Sequence, residues 1–281
     1  MRAAIVTGAY GYLGSRIRAR LEASGWTATA LVRTPRPGDR AERWTLGEPV
    51  PETARGADAL VHCAYDFAAR GRDEIQRVNV DGTSLLLRSA KDAGIPRLLA
   101  LSSMSAYPGT RQLYGRAKLA IEEVAVELGG IAVRPGLVYG PAAGGMAGAL
   151  DKLTRLPLVP AFGDSARQFP VHEDDLTRAI VEILEAADWR AEVFGIAQPT
   201  PLTFRELLAG LARRRGRRLR FVPIPWRPVY WSLRAAERTG AASRLPFRSD
   251  SLLGLVRPAP SVPPSSAFPG MLESLRKLEH R

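Results

Sequence analysis

The stretch Ala3–Gly14, AAIVTGAYGYLG, constrains the fold more than any other part of the chain. Ala3 to Val6 is a short apolar run that reads as a buried strand. Gly8, Gly11 and Gly14 follow at three-residue spacing, and Leu13, Ile17 and Leu21 then recur at helical spacing. A strand that turns on glycines into a helix brings unpaired amide N–H groups and the positive end of a helix dipole to one point. Such a point suits a pyrophosphate. A Cβ there would hold the phosphate off or strike the strand, so glycine is required. The spacing is GxxGxxG, not the GxGxxG of the common dinucleotide fingerprint. An ordinary glycine turn is the alternative, but a position directly after the first strand favours a dinucleotide.

Bulk properties narrow the class. A length of 281 residues is enough for one large core or two smaller ones. Hydrophobic content of 46% and charged content of 24% are those of a globular protein. The single Cys63 excludes a disulfide framework within the chain and any cysteine-based metal cluster, so no metal site is expected. It also suits a reducing, cytoplasmic setting. The N-terminus lacks a secretory pattern, and no apolar run approaches the length of a membrane span. The net charge of +12 raises nucleic acid as a partner. Most arginines are interleaved with glutamates, however, and the one dense run, residues 213–218, reads as the solvated end of a helix plus a turn. No nucleic-acid partner is expected.

Thr27 to Val32 reads as the second strand. In a dinucleotide fold its end meets the adenosine ribose, where an acid would bind the 2′-hydroxyl of NAD. Here the residues are Arg33, Thr34, Pro35 and Arg36, and the first acid is Asp39. An arginine pairs with a 2′-phosphate that a carboxylate would repel, so NADP(H) is preferred to NAD(H). Alternatively, Arg33 simply caps the edge of the sheet. Ala59 to Cys63 is the third strand, and His62 near its end reads as a packed, hydrogen-bonded residue. Glu74 to Ala93 reads as one helix broken near Asp81–Gly82, with Asn79 inside it. Arg97 to Leu101 is the fourth strand and delivers Ser102, Ser103 and Ser105 to the ligand crevice.

Tyr114 and Lys118 open the next helix four residues apart and share its face. A tyrosine acting as acid and base near neutrality must titrate about three pH units below its free value, roughly 4 kcal/mol of differential stabilisation. A lysine one turn away supplies positive charge where the phenolate forms, and a serine at the strand end can hold a substrate oxygen.

These residues stand in an order that resembles the extended short-chain dehydrogenase/reductases, the NAD-dependent epimerase/dehydratase family. The matching stretches are Thr7–Gly14, Leu60–Ala64, Asn79–Thr83, Ser102–Ser103, Tyr114–Lys118, Arg134–Pro141 and Val171–Leu176, over about residues 3–200. The resemblance implies a Rossmann-like doubly wound parallel sheet with a small, mostly helical C-terminal substrate domain. Tyr114 is then the catalytic acid/base. Lys118 binds the nicotinamide ribose and lowers the tyrosine's pKa. Ser103 is the matching serine, with Ser105 as the fallback. Gly8, Tyr10, Gly11, Tyr12 and Leu13 form the cofactor loop. Ala64, Tyr65, Asn79, Pro135 and Val138 touch the cofactor, and Tyr139 and Arg167 touch the substrate. A homodimer through the helices around Glu74–Ala93 and Gln112–Leu128 is implied in the same way.

Departures from the family pattern weigh against a nucleotide-sugar substrate. The interval from Ser103 to Tyr114 is short, and the second strand ends in arginine. The expected activity is therefore NAD(P)-dependent hydride transfer at a carbonyl or carbinol of a small, partly apolar substrate. A nucleotide-sugar epimerase or dehydratase with bound NAD is one alternative. A non-catalytic NADP-sensing or RNA-associated protein is another, from a different class. Residues 1–156 and 171–198 are expected to bind the cofactor, and 157–170 and 199–281 the substrate. Thr203 to Arg215 reads as a helix with Glu206 three residues past its cap, and Leu219 to Val222 as a strand. Arg257 to Pro269, with five prolines, reads as coil. The aromatic cluster Trp226, Tyr230 and Trp231 has three readings: core packing, contact with an apolar or ring-containing substrate, or an interfacial helix over Trp226 to Arg238.

Overall fold

In the computed structural model, residues 2–141, 144–162, 166–213, 216–239 and 248–278 are described. The first half of the chain gives β1 (Ala3–Thr7), α1 (Tyr12–Ala23), β2 (Thr27–Val32), the short β3 (Ala41–Arg43) and β4 (Ala59–His62). Then follow α2 (Gly71–Ile75), α3 (Gly82–Asp92), β5 (Arg97–Leu101), α4 (Leu113–Glu127) and β6 (Ile131–Pro135). The second half contains β7 (Leu137–Tyr139), α5 (Gly145–Leu153), β8 (Val159–Ala161), β9 (Arg167–Gln168), β10 (Pro170–His172), α6 (Glu173–Glu185) and β11 (Glu192–Ile196). It closes with β12 (Leu202–Thr203), α7 (Phe204–Arg213), β13 (Phe221–Pro223), α8 (Trp226–Arg238) and α9 (Ser249–Val256).

Seven strands form one sheet in the order β11-β6-β5-β4-β1-β2-β3, and every pair in it is parallel. The inner strands β4 and β5 are near-continuous apolar runs because helices cover both of their faces. On one face Val6, Val61 and Leu99 pack with Ile17 and Leu21 of α1 and Leu176 and Ile180 of α6. On the other, Leu60 and Leu98 pack with Leu86 and Leu87 of α3 and Ile121 and Ala125 of α4. A third cluster joins Leu150, Val159, Leu202, Phe204, Leu207 and Leu208 in the C-terminal half.

The expected single helix over Glu74–Ala93 is interrupted earlier than the sequence suggests. A wide π-helical turn, Gln76–Asp81, joins α2 to α3 and carries the buried Asn79. α7 starts on the expected reciprocal cap: Glu206 accepts from the Thr203 amide at 2.7 Å, and the Glu206 amide donates to the Thr203 hydroxyl at 3.2 Å. Arg214 and Arg215, within the arginine run and the expected helix end, lie outside the described residues. The strand expected at Leu219–Val222 forms at Phe221–Pro223 and pairs with β8.

The proline-rich tail has no regular element but is firmly placed. The Gly195 amide of the edge strand β11 donates to the Pro263 carbonyl at 2.8 Å. Ser265 donates to Glu192, and Met271 and Leu275 enter the core beside α6. Prolines suit this position because they cover a sheet edge without offering N–H groups for further pairing.

Candidate active site

The order of the sheet reverses between β1 and β4, so a ligand crevice opens beyond their carboxyl ends. Gly8 leaves β1 at φ +63°, and a Cβ there would lie 2.9 Å from the Ala64 backbone. A Cβ on Gly14 would lie 2.3 Å from the Gly8 carbonyl oxygen, so these two glycines let strand, turn and helix touch. Gly11 caps α1 without a side chain to occupy the first-turn amides, which leaves them for an anion. This cradle fits a dinucleotide pyrophosphate.

The two tyrosines of the loop are tied to the protein. Tyr10 donates to Asp39 at 2.8 Å and accepts from the Arg36 amide at 3.0 Å. Arg18 grips the same carboxylate at 2.8 and 2.6 Å, which holds Asp39 well below the usual carboxylate range. The only acid close behind β2 is thus already neutralised, while Arg33 is exposed at the strand's end. Tyr12 donates to Glu173 at 2.5 Å, and Arg16 donates to the same oxygen at 2.8 Å, which locks the loop to α6.

His62 is structural. Thr7 Oγ1 accepts from the amides of Cys63 and Ala64 and therefore donates to His62 Nδ1 at 2.8 Å. That leaves the proton on Nε2, which donates to Thr83 Oγ1 at 2.9 Å. Burial, reinforced by the Lys118 charge, pushes the His62 pKa down to about 3. The unfolded residue titrates near about 6.5. Its contribution to stability is complete above that value and is lost as the pH falls towards the folded pKa. In urea titrations, stability is expected to fall between about pH 7 and pH 4.5 by about 2–3 kcal/mol more in the wild type than in His62→Gln. Equal losses would contradict this assignment.

At the far side of the crevice the structure brings Ser103, Tyr114 and Lys118 together. Ser103, whose hydroxyl oxygen accepts from the Ser105 amide at 3.1 Å, lines the same cavity as Tyr114. Lys118 Nζ donates to the Leu101 carbonyl at 2.7 Å and lies 5.9 Å from the Tyr114 ring centroid and 5.1 Å from that of Tyr65. Burial lowers the Lys118 pKa to about 8. The expected depression of Tyr114 is not met: burial pushes its phenol up to about 12, and the neighbouring Ser103 hydroxyl offsets this only in part. In this state the tyrosine is a proton donor, not a phenolate.

Two supports were not anticipated. Glu122 lies one turn beyond Lys118 on the same helix face. It accepts from Ser102 and from Arg134 at 2.7 and 2.6 Å, fixing the serine pair to α4 and β6. Its i+4 spacing from Lys118 was the available signal. Asp250 of α9 caps α4 from a distance, its carboxylate accepting from the amides of Leu113 at 3.0 Å and Tyr114 at 3.3 Å. Burial raises its pKa. Nothing in the local sequence announces this cap.

A cavity of about 1150 Å³ opens beside Tyr114, and Tyr12, Leu13, Tyr65, Ser103, Ser105, Pro135 and Val138 line it. Asn79 is spent on the backbone of Asp66, accepting from its amide at 2.7 Å and donating to its carbonyl at 3.1 Å. It holds the loop that carries Tyr65. The structure does not bring Tyr139 or Arg167 to the cavity wall. Tyr139 is buried edge-on against His172 at 5.2 Å. Arg167 is exposed on β9, and the next residues, Gln168 and Phe169, form the wall instead. Within β9, alternation sends the side chains of Arg167 and Gln168 to opposite faces.

The sheet order and the glycine turn after its first strand define a doubly wound, dinucleotide-binding fold. The family pattern described as NAD dependent epimerase/dehydratase matches residues 4–197, and the chain belongs to that family, in its extended form. It is 28% identical over 236 residues to a ceramide reductase from Caulobacter vibrioides, covering 78% of this chain and 73% of that one. It is 28% identical to a dTDP-4-dehydro-6-deoxy-D-allose reductase from Streptomyces bikiniensis, covering 89% and 93%. The solved structure of MoeE5 in complex with UDP-glucuronic acid and NAD shares the fold, with a TM-score of 0.67 and 23% identity over 80% of this chain and 86% of that one.

Proposed function

We propose that this enzyme reduces a ketone group of a partly apolar substrate with NADPH. The observation that carries this reading is that Ser103 and Tyr114 line one cavity wall with Lys118 Nζ 5.9 Å from the Tyr114 ring centroid. The nicotinamide, when bound, supplies a hydride to the carbonyl carbon. Ser103 donates a hydrogen bond to the carbonyl oxygen, and Tyr114 gives that oxygen its phenolic proton, so hydride and proton together convert C=O to CH–OH. The Lys118 ammonium stabilises the phenolate left behind. A phenol raised by burial favours the direction in which it donates. Relatives named as reductases support that direction. Phe67, Leu113, Phe169, Leu255 and Ala259 in the cavity wall support an apolar substrate body.

Residues 1–156 and 171–198 hold the cofactor in this reading, and residues 157–170 and 199–281 shape the substrate site. A homodimer through α3 and α4 belongs to the same proposal. Preference for NADPH is supported by the exposed Arg33 and by the engagement of Asp39 with Arg18 and Tyr10. Arg33→Asp is expected to shift the ratio of NADPH to NADH affinities by at least about tenfold towards NADH, the loss of one charge-assisted pair. An unchanged ratio would remove Arg33 from the argument.

Arg234, Arg238 and Arg248 in the cavity wall favour a second reading, an epimerase or dehydratase acting on a phosphate-bearing sugar. Incubation with ketones and, separately, with nucleotide sugars separates the two. Net loss of NADPH absorbance supports the reductase. Product formed with the cofactor unchanged at the end supports the epimerase type.

A further inference from the structure

We propose that the C-terminal lobe docks on the surface of an anionic lipid bilayer through α8 and the strand before it. Residues 205–248 carry twelve arginines against Glu206 and Glu237, which is ten of the chain's twelve net positive charges. α8 lies inside this segment, and none of its residues is buried. Arg227, Trp231 and Arg238 recur at intervals of four and seven residues, the spacing of one helical stripe. All three are exposed, Trp231 to 65%. Val229, Leu233 and Ala236, on the other side, are half-buried, and α8 packs against α9.

Apolar side chains are also exposed on the strand that precedes α8 in the chain and on the segment leading into its partner. β13 pairs in parallel with β8, with Val222 opposite Pro160. Val222 is 40% exposed, and Leu158, just before β8, is 55% exposed. Arginines beside an unburied tryptophan and exposed aliphatic chains match an interfacial helix, whose rings enter the headgroup boundary while guanidinium groups meet lipid phosphates. A nucleic acid would satisfy the arginines and could stack on Trp231, but it would leave Val222 and Leu158 exposed to water. No described helix is long and apolar enough to cross a membrane, so the contact is with its surface. Arg234, Glu237 and the exposed Arg238 of the same helix line the cavity, so the stripe borders its mouth. A docked α8 would therefore hold the cavity mouth near the headgroups. Docking itself does not depend on the reaction proposed above.

Co-sedimentation of the full chain with lipid vesicles tests this directly. Vesicles containing phosphatidylglycerol are expected to bind at least about tenfold more tightly than pure phosphatidylcholine vesicles, and added salt weakens the binding. One arginine near such a surface contributes about fivefold, so the charge reversal Arg227→Glu is expected to weaken binding by about 25-fold. Trp231→Ser is expected to weaken it at least about fivefold, because the inserted ring is lost. Circular dichroism and NADPH binding confirm that both variants are folded. The proposal is overturned if anionic vesicles do not bind, or if neither variant changes binding. It is equally overturned if Trp231→Ser has no effect while a polyuridine RNA binds more tightly than the vesicles, which marks a nucleic-acid surface.

Discussion

Tyr114→Phe is expected to lower turnover by at least about 100-fold, the low end for removing a general acid. The fold and the affinity for NADPH should stay within about threefold of the wild type, since a few tenths of a kcal/mol separate such values. Phenylalanine keeps the ring contacts of Tyr114, edge-on to Tyr65 at 4.9 Å and stacked on Phe67 at 5.8 Å. It removes only the hydroxyl of a residue that lines the cavity beside Ser103. Steady-state turnover measured beside dinucleotide affinity separates the chemical loss from a structural one. Retained turnover would end the acid-catalyst assignment. A loss of NADPH binding of the same size would mean that the ring, and not the proton, matters.

The largest expected effect on stability comes from Arg134→Leu. The Glu122 carboxylate is only 3% exposed, and Arg134 neutralises it through two short hydrogen bonds. Removing one partner of a buried pair leaves an uncompensated charge and costs about 3–5 kcal/mol. For a chain of this size that lowers Tm by roughly 10 °C. Replacing both residues with leucine is expected to recover much of the loss, because no buried charge then remains. Thermal unfolding of the single and double variants checks both statements. An unchanged Tm in Arg134→Leu, or a double variant no more stable than the single one, would contradict the account. Ser102 bonds the same carboxylate and adjoins Ser103, so the single variant should also lose activity.

The parts of this enzyme governed by local rules were legible in the sequence. β1, the glycine turn and α1 follow from an apolar run, a three-residue glycine period and a helical leucine spacing. The enclosed placement of His62 followed from its place in an apolar strand. Tyr114 and Lys118 announced a shared helix face, and the structure sets Ser103 beside them.

What stayed hidden depends on distance and burial. Asp39 appears in the sequence as a free acid behind β2, yet Arg18, 21 residues earlier, reaches it across the fold. The cap that Asp250 places on α4 spans 137 residues to Leu113. The pKa of Tyr114 is set by how much water the surrounding loops exclude, which no spacing records, so the expected direction was reversed. Gln168 and not Arg167 lines the cavity because a single step along β9 reverses the facing side. The proline-rich tail reads as featureless coil because its order comes from β11, the edge it covers.

The central claim is that the crevice between β1 and β4 holds a nicotinamide dinucleotide whose reactive end meets Tyr114. Calorimetric titration of NADPH and NADH into the intact protein tests it most directly. The account predicts one saturable site per chain, with NADPH as the tighter ligand. Failure of both dinucleotides to bind would contradict it.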